Sequence, residues 1–331
     1  MATVIFSVIV PCFNEQEVLP ITHQRLTAVM QGLGEEYELI YVDDGSRDET
    51  LPILRRLHEE DPHAVVVSFS RNFGQQYAIT AGLHAARGQA IVLIDADLQD
   101  PPEVIPAMVE KWREGADVVY GKRLSRAGET FFKKFTSKAF YRVFSALSET
   151  KAPLDTGDFR LMDRKVVREL DAMGEHNRYL RGMVSWVGFK QEAVEFERQE
   201  RLAGETKWGT RQMISLANDG LIGFSKKPLK IATRLGILLS AGSFIWTLVA
   251  LILLLFNYDI TGITFAFCGL FFVAGLLFIC MGLLGTYIGR IYDETKNRPN
   301  YIVNEFLRRK PLSAEPVAEP AMDENPDEDQ Q

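Results

Sequence analysis

Cysteine is scarce in this chain of 331 residues, which contains only Cys12, Cys268 and Cys280. Three cysteines give no framework of disulfides, so a disulfide-stabilised secreted domain is disfavoured and a reducing compartment is expected. A general excess of positive charge is also missing. The net charge of −7 comes from the tail at 311–331, which holds seven acidic residues and no Lys or Arg, and the rest of the chain is neutral. This balance argues against a nucleic-acid partner.

Three common motifs of nucleotide-binding and hydrolytic enzymes are absent from the sequence. It has no Gly-x-x-x-x-Gly-Lys-Ser/Thr, no Gly-x-Gly-x-x-Gly after the first β-rich run, and no Gly-x-Ser-x-Gly. These absences disfavour a P-loop nucleotidase, a dinucleotide-binding fold and an α/β-hydrolase. The stretch from Met1 to Val10 also lacks the basic flank and long apolar core of a secretory signal. We therefore expect the polar part of the chain to remain in the cytoplasm.

The first part of the chain alternates β-rich runs with helical patterns. The β-rich runs are almost continuously apolar, which is typical of strands that are covered on both faces. This pattern predicts an α/β fold with a mostly parallel sheet and helices on both faces. The predicted strands are Phe6–Val10, Tyr37–Val42, Ala64–Phe69, Ala90–Ile94 and Asp117–Tyr120. The predicted helices are Glu15–Gly32, Asp48–Glu60, Gln75–Ala86 and Pro102–Glu114, with Ser46 and Asp48 as possible caps of the second.

Polar clusters follow the first four predicted strands. Because ligands bind beyond the carboxyl ends of parallel strands, we expect these clusters to meet at one rim of the sheet. A single cluster of this kind is most often a turn with a helix cap, but four at the same edge favour a binding site. The clusters are Pro11–Glu15, Asp43–Ser46, Ser70–Gly74 and Asp95–Asp100.

Asp95 and Asp97 stand one residue apart, directly after the fourth predicted strand. Both carboxylates can therefore reach one cation, and oxygen ligands without His or Cys favour Mg²⁺ or Mn²⁺ over zinc. Such an ion commonly takes substrate phosphate oxygens as further ligands. The alternative is a simple turn before the helix at Pro102, with Asp97 or Asp100 as its cap.

Five motifs, taken together, carry a family resemblance: Val10–Glu15, Asp43–Asp48, Asn72–Gln76, Asp95–Pro102 and Gly157–Leu161. With them the chain resembles the GT-A-fold (Rossmann-like), family 2 inverting glycosyltransferases. The subgroup that it resembles transfers sugars to polyprenyl phosphates. It includes bactoprenol glucosyltransferases and, more distantly, dolichyl-phosphate mannose synthases and undecaprenyl-phosphate aminoarabinose transferases. The resemblance covers about residues 5–309.

The resemblance implies roles for residues in each motif. Asp97 and Gln99, with Asp95, would hold Mg²⁺ or Mn²⁺ on the diphosphate of the donor, and Asp158 stands where related enzymes place a proposed base. The implied catalytic residues are Asp158, Asp97 and Arg123. The residues implied in nucleotide-sugar binding are Pro11, Asn14, Glu15, Asp43, Asp44, Asn72, Asp95 and Ala96. The residues implied in binding the acceptor phosphate are Arg123, Lys133 and Ser137, although the family has Arg at the position of Lys133. We add Lys207 to this set, because it is expected to lie near the lipid headgroups.

The implied reaction moves a sugar from a UDP-sugar to polyprenyl phosphate, with glucose as the first choice and N-acetylglucosamine or aminoarabinose as alternatives. The second pKa of a phosphate monoester is near 6, so the acceptor is already a nucleophile and Asp158 either removes a proton or orients the donor. A single displacement at the anomeric carbon predicts inversion. A processive polysaccharide synthase and an inactive membrane scaffold remain as alternatives.

Two long apolar segments are consistent with an acceptor that lies in a membrane. Leu235–Phe256 spans 22 residues, about 33 Å as a helix, and Ile263–Gly289 is long enough to cross a bilayer with tilt. Lys and Arg flank both outer ends, so the positive-inside rule predicts a two-span hairpin in the bacterial inner membrane with both termini cytoplasmic. Trp208–Phe224 is typical of an interfacial helix. Gly285 and Gly289 permit close helix contact, which would allow a homo-oligomer.

The predicted organisation of the chain therefore has five parts. They are a cytoplasmic GT-A catalytic domain at 1–207, an interfacial amphipathic region at 208–232, a two-helix transmembrane hairpin at 233–290, a basic juxtamembrane segment at 291–310 and a disordered acidic tail at 311–331.

Overall fold

The computed structural model describes residues 4–124, 156–176, 178–197 and 262–309, together with the helical positions 238, 242, 245, 249 and 252. The predicted acceptor residues Lys133, Ser137 and Lys207 lie outside the described residues. The same is true of the predicted interfacial helix, the tail and most of the first predicted span.

An eight-stranded sheet forms the centre of the described part, in the order β7-β5-β6-β4-β1-β2-β3-β8. Six of these strands run in one direction, whereas β6 and β8 run in the other. The strands are β1 Phe6–Cys12, β2 Tyr37–Asp43, β3 Ala64–Phe69, β4 Ala90–Leu93, β5 Val118–Arg123, β6 Thr156–Asp163, β7 Gln191–Phe196 and β8 Val303–Leu307. The α-helices are α1 Leu19–Leu33, α2 Thr50–Glu60, α3 Gln75–Ala85, α4 Ile105–Arg113 after a 3-10 turn at Pro102–Val104, α5 Arg164–Ala172, α6 Leu180–Trp186 and α7 Gly262–Thr295.

Helices cover both faces of the sheet. Side chains along each strand point alternately to opposite faces, so apolar strands place a core on each side. In β1, Phe6 and Val8 face a core built with α1, α2 and α4, while Ile9 faces a second core built with α3, α5 and α6. All three side chains are fully buried. The predicted α/β sheet with helices on both faces is therefore confirmed.

Two helices begin later than the sequence pattern predicts. α1 begins at Leu19 because Asn14 adopts a left-handed backbone (φ 52°) and the carbonyl of Glu15 closes a turn with the N–H of Leu19. α2 begins at Thr50, whose N–H donates to Oδ1 of Asp48 over 3.0 Å. The prediction of Ser46 as a cap of α2 is wrong, since its hydroxyl accepts a hydrogen bond from the N–H of Asn14 instead.

The helix α7 is 34 residues long. Within the described residues, one helical stretch is long and apolar enough to cross a membrane: Val273–Thr295, 23 residues with a mean hydropathy of 1.6, whose most apolar part is not buried. This stretch overlaps the second predicted span, and its last turns, from Arg290 onward, are charged.

After α7 the chain returns to the sheet, where β8 pairs antiparallel with β3. The ring of Tyr301 stacks on Phe69 at 4.9 Å, and the guanidinium of Arg308 lies 3.0 Å from the carboxylate of Glu38, both side chains being largely buried. The sequence pattern predicts only a basic juxtamembrane segment here. The structure adds that part of this segment, Val303–Leu307, is an edge strand of the eight-stranded sheet.

We expect the substitution Arg308→Met to lower the free energy of unfolding by about 2 kcal/mol, because it leaves the buried carboxylate of Glu38 without its cation. The remaining hydrogen bonds to Glu38, from Ser7 and the N–H of Arg87, keep the loss below that of an isolated charge. Thermal unfolding of the full chain measures the effect. Arg309→Met, which removes an exposed neighbouring guanidinium, is the control, and equal destabilisation by both variants would contradict the assignment.

Candidate active site

The loops that follow β1 and β2 are joined at the carboxyl edge of the sheet. Besides the contact with Ser46, the side-chain carbonyl of Asn14 accepts a hydrogen bond from the N–H of Arg47 at 2.9 Å. The N–H of Glu15 donates to the hydroxyl of Thr50 at 2.8 Å. Pro11, at the end of β1, lies beside Val42 of β2. These contacts hold the first two predicted polar clusters together.

Asp43 is buried at the end of β2. Its carboxylate accepts hydrogen bonds from the N–H of Ser46 at 3.1 Å and from the hydroxyl of Ser68 at 2.9 Å. It lines a cavity of about 330 Å³ that also contacts Asn72 and Asn304, the latter from β8. The third polar cluster and the edge strand therefore meet Asp43 at the same rim.

Asp44 fixes the loop that follows β3. Its carboxylate accepts hydrogen bonds from the side-chain amide of Asn72 and from the N–H groups of Phe73 and Gly74, at 2.7 to 2.9 Å. Burial raises the pKa of Asp44 to about 6, although the two backbone donors favour the charged form and oppose this rise. Asp44 thus sets the position of Asn72, which the sequence analysis predicts to contact the nucleotide-sugar.

The raised pKa of Asp44 predicts a pH-dependent contribution to stability. The folded pKa, about 6, lies above the ordinary value of 3.8, so this contribution is present below pH 4 and is lost as the pH rises through 6. We expect the melting temperature of Asp44→Asn, relative to that of the unmodified protein, to rise between about pH 4 and pH 7. Thermal unfolding across this range measures the difference. A difference that stays constant with pH would show that Asp44 does not titrate in this window.

The loop after β4 presents the fourth polar cluster. Oδ1 of Asp95 accepts a hydrogen bond from the side-chain amide of Gln75 at 2.9 Å, and the carbonyl of Ala96 accepts one from the hydroxyl of Thr22 at 2.8 Å. Leu98 adopts φ 57°, which is unusual for a leucine, and its side chain is fully buried. Packing of Leu98 into the core therefore maintains a strained turn on which Asp97 is displayed.

Asp97 and Gln99 remain partly exposed on this turn. Oδ1 of Asp97 accepts a hydrogen bond from the N–H of Gln99 at 3.1 Å. Among the residues that the structure describes, no three His, Cys, Asp or Glu side chains form a group able to hold a metal ion by themselves. Asp95, Asp97 and Gln99 would thus make an open oxygen site that needs ligands from a substrate.

The antiparallel pairing of β4 with β6 brings a further carboxylate to this edge. Leu93 of β4 pairs with Arg160 of β6. Because these strands are antiparallel, Asp95, two residues after Leu93, and Asp158, two residues before Arg160, lie at the same edge of the sheet. Asp158 is buried and makes two contacts with Arg181, at 2.7 Å from Nε to Oδ1 and 3.1 Å from Nη2 to Oδ2. Nη2 of Arg160 lies 3.9 Å from Oδ1 of Asp158.

The pKa values of Asp95 and Asp158 are shifted in opposite directions. Burial, followed by the charges of Asp158, Asp100 and Asp97, raises the pKa of Asp95 to about 8. Burial also acts to raise the pKa of Asp158, but Arg181, Arg160 and Arg123 outweigh it and hold that pKa below its ordinary value. The neighbouring carboxylates therefore disfavour the ionised form of Asp95, and a cation bound among these oxygens would favour it; the oxygen donor set fits a hard divalent cation.

Arg123 stands at the end of β5 beside this cluster. Its guanidinium makes two hydrogen bonds to the fully buried carboxylate of Asp100, at 3.1 Å from Nε and 2.9 Å from Nη2. A methyl group on Gly157 would lie 2.9 Å from Nη2 of Arg123, so a larger residue there would displace the guanidinium. Arg123 is thus held in place, and its side chain remains partly exposed.

The structure brings most of the predicted site residues to one edge of the sheet, and Lys133, Ser137 and Lys207 lie outside the described residues. Sequence reasoning missed Arg181, the main partner of Asp158, because a single arginine at the start of a short helix carries no motif. It also assigned no role to Gln75 and considered Asp100 only as a possible helix cap, although both belong to the quoted motifs. Their contacts depend on how the loops fold against one another.

Comparisons with known proteins agree with these motifs. A family model described as "Glycosyl transferase family 2" matches residues 7–171. "Uncharacterized glycosyltransferase YkcC" of Bacillus subtilis is 52% identical over 91% of this chain and 93% of its own length. "Prophage bactoprenol glucosyl transferase homolog" of Escherichia coli is 41% identical over 91% and 99%. "Bactoprenol glucosyl transferase" of Shigella phage SfII is 39% identical over 92% and 99%.

Proposed function

The chain belongs to glycosyl transferase family 2, and we propose that it transfers a sugar, glucose in the first instance, from a UDP-sugar to a polyprenyl phosphate. The carrying observation is the arrangement at the sheet edge: Asp95 and Asp97 follow β4, its antiparallel partner β6 brings Asp158 to the same edge, and Arg181 pairs with Asp158 at 2.7 Å. Relatives named bactoprenol glucosyl transferase, similar over nearly their whole lengths, support the choice of glucose and of a polyprenyl acceptor.

The donor would bind with its nucleoside at the loops after β1, β2 and β3. The rim residues already described are the proposed contacts of the nucleotide-sugar: Pro11, Asn14, Glu15, Asp43, Asp44, Asn72, Asp95 and Ala96. Asp97 and Gln99, with Asp95, would hold Mg²⁺ or Mn²⁺. When bound, such an ion supplies charge neutralisation for a diphosphate leaving group.

Asp158 acts in this proposal as a positioning carboxylate. Its ion pair with Arg181 lowers its basicity, and a phosphate monoester is already largely dianionic at pH 7. An acceptor phosphate oxygen forms the new bond to the anomeric carbon while the bond to the UDP oxygen breaks, which inverts the configuration. Arg123 supplies positive charge beside the site and would help to offset the repulsion between the acceptor and the carboxylates.

The apolar segments would bring the lipid acceptor to this site. We infer two transmembrane helices, one over Leu235–Phe256 and one within α7, with the catalytic sheet and both termini on the cytoplasmic face of the bacterial inner membrane. The apolar stretch of α7 and the basic residues that follow it support this arrangement. The return of β8 to the sheet keeps the catalytic domain next to the end of α7.

The decisive experiment incubates the purified full-length protein with undecaprenyl phosphate, Mg²⁺ or Mn²⁺, and a panel of UDP-sugars. Mass spectrometry of the lipid product identifies the sugar, and NMR of its anomeric proton tests inversion. A product carrying one glucose is expected. A lipid with several sugars would favour a processive synthase, and no turnover with any donor would contradict the proposal.

A further inference from the structure

A second concave site lies between the loop after β3 and the chain that leaves α7, and it shares Arg71 with the cavity at Asp43. This cleft, of about 260 Å³, is lined on one side by Arg71, Phe73 and Tyr77 and on the other by residues that include Lys296 and Arg298. We call it the helix-exit cleft.

The helix-exit cleft carries an excess of positive charge. Among its lining residues three cations face one carboxylate, that of Asp293. The nearby Glu294 is engaged elsewhere, since its carboxylate lies 2.8 Å from Nδ1 of His176 and also accepts the N–H of that residue. Within the described part of the chain, Arg71, Lys296 and Arg298 form no ion pair. Three cations without carboxylate partners in one concavity favour an anionic ligand.

Two of the three cations lie against aromatic rings. The guanidinium of Arg71 lies 3.9 Å from the centre of the Phe73 ring and donates to the carbonyl of Asn72 at 2.9 Å. The ammonium of Lys296 lies 4.1 Å from the ring of Tyr292. The rings of Phe73 and Tyr77 give the cleft an apolar wall. This combination suits a ligand with a phosphate and an adjoining apolar part.

The position of the cleft identifies the source of such a ligand. Asp293 lies in the last turn of α7, at the end of the stretch that is apolar enough to cross a membrane, and Lys296 follows directly. Cations at this point of a membrane helix meet the headgroups of the cytoplasmic leaflet. We propose that the helix-exit cleft binds the phosphate of an anionic phospholipid headgroup. The inference rests on the proposed membrane span in α7 and is independent of the transfer reaction.

The test measures lipid binding to the purified full-length protein by native mass spectrometry during titration with phosphatidylglycerol or phosphatidylcholine. Each of Arg71→Gln, Lys296→Gln and Arg298→Gln is expected to weaken phosphatidylglycerol binding by about fivefold, and phosphatidylcholine binding is expected to stay unchanged. Arg290→Gln is the matched control, because it removes one charge from the same helix end outside the cleft. Arg71→Lys and Arg298→Lys keep the charge and should retain binding.

Several results would overturn the proposal. Equal weakening by Arg290→Gln would indicate general attraction between a basic region and anionic lipid. Equal binding of phosphatidylglycerol and phosphatidylcholine would show that the net charge of the headgroup does not determine binding. Full competition by inorganic phosphate or glycerol 3-phosphate would identify a site for a free anion. A lower melting temperature with unchanged lipid binding would mean that the cations only stabilise the negative end of the α7 dipole.

Discussion

Asp97→Asn is expected to reduce kcat for sugar transfer by about a thousandfold, with the fold retained. The partly exposed carboxylate of Asp97 lies on the turn that the buried Leu98 maintains, so the amide can occupy the same position without disturbing the core. A neutral amide binds a hard divalent cation more weakly than a carboxylate does and neutralises none of its charge, and a loss of several kcal/mol of leaving-group stabilisation corresponds to this factor. Steady-state UDP release at saturating donor and acceptor measures it.

The control for this substitution is Glu103→Gln, a neighbouring carboxylate that pairs with Arg25 on the surface. It removes the same charge a few residues further along the chain and should leave kcat within about twofold, since exposed ion pairs contribute little. Circular dichroism checks that both variants keep the sheet. Activity of Asp97→Asn comparable to that of Glu103→Gln would contradict the proposed role of Asp97 in holding a metal ion.

Arg181→Met is expected to have the second large effect, because it removes the main cation beside the buried Asp158. The free energy of unfolding should fall by about 2 kcal/mol, less than for a fully buried pair, since Arg181 keeps 29% exposure and Arg160 remains nearby. Without Arg181, burial raises the pKa of Asp158, so its carboxyl group begins to protonate at a higher pH. The acidic limb of the pH–rate profile should therefore move to higher pH.

Two further variants separate this effect from simple destabilisation. Arg181→Lys restores one cation and should recover most of the acidic limb, although the bidentate geometry is lost. Arg168→Met removes an exposed arginine from α5 and should leave the profile unchanged. If Arg181→Met lowered stability but kept the acidic limb in place, Asp158 would not depend on Arg181 for its charge.

The sequence predicted the sheet well because its central strands are buried on both faces. Ala64–Phe69 matches the observed β3, and Tyr37–Val42 is one residue short of β2. Continuous apolar runs of this length have few other solutions in an alternating pattern. The rim of polar residues followed from the parallel direction of these strands, which brings Asp43 and Asp95 to one edge.

The remaining parts of the site arise from contacts between distant segments. β6 enters antiparallel between β4 and β5, and no local periodicity around Asp158 predicts which strands it joins. The pairing of Asp158 with Arg181 depends on this insertion and on the placement of α6. The same holds for β8, whose mixed sequence is exposed along most of its length and gives no strand signal. Such contacts are set by tertiary packing, which a single sequence does not reveal.

The return of β8 to the sheet has a consequence for any attempt to handle the catalytic domain alone. A protein shortened before α7 would leave the backbone N–H and C=O groups of β3 open to water along one side. That strand, Ala64–Phe69, is apolar and fully covered in the intact chain. Open apolar edges template pairing with other molecules, so such a fragment would self-associate through β3. The strand that follows α7 thus protects the domain against aggregation.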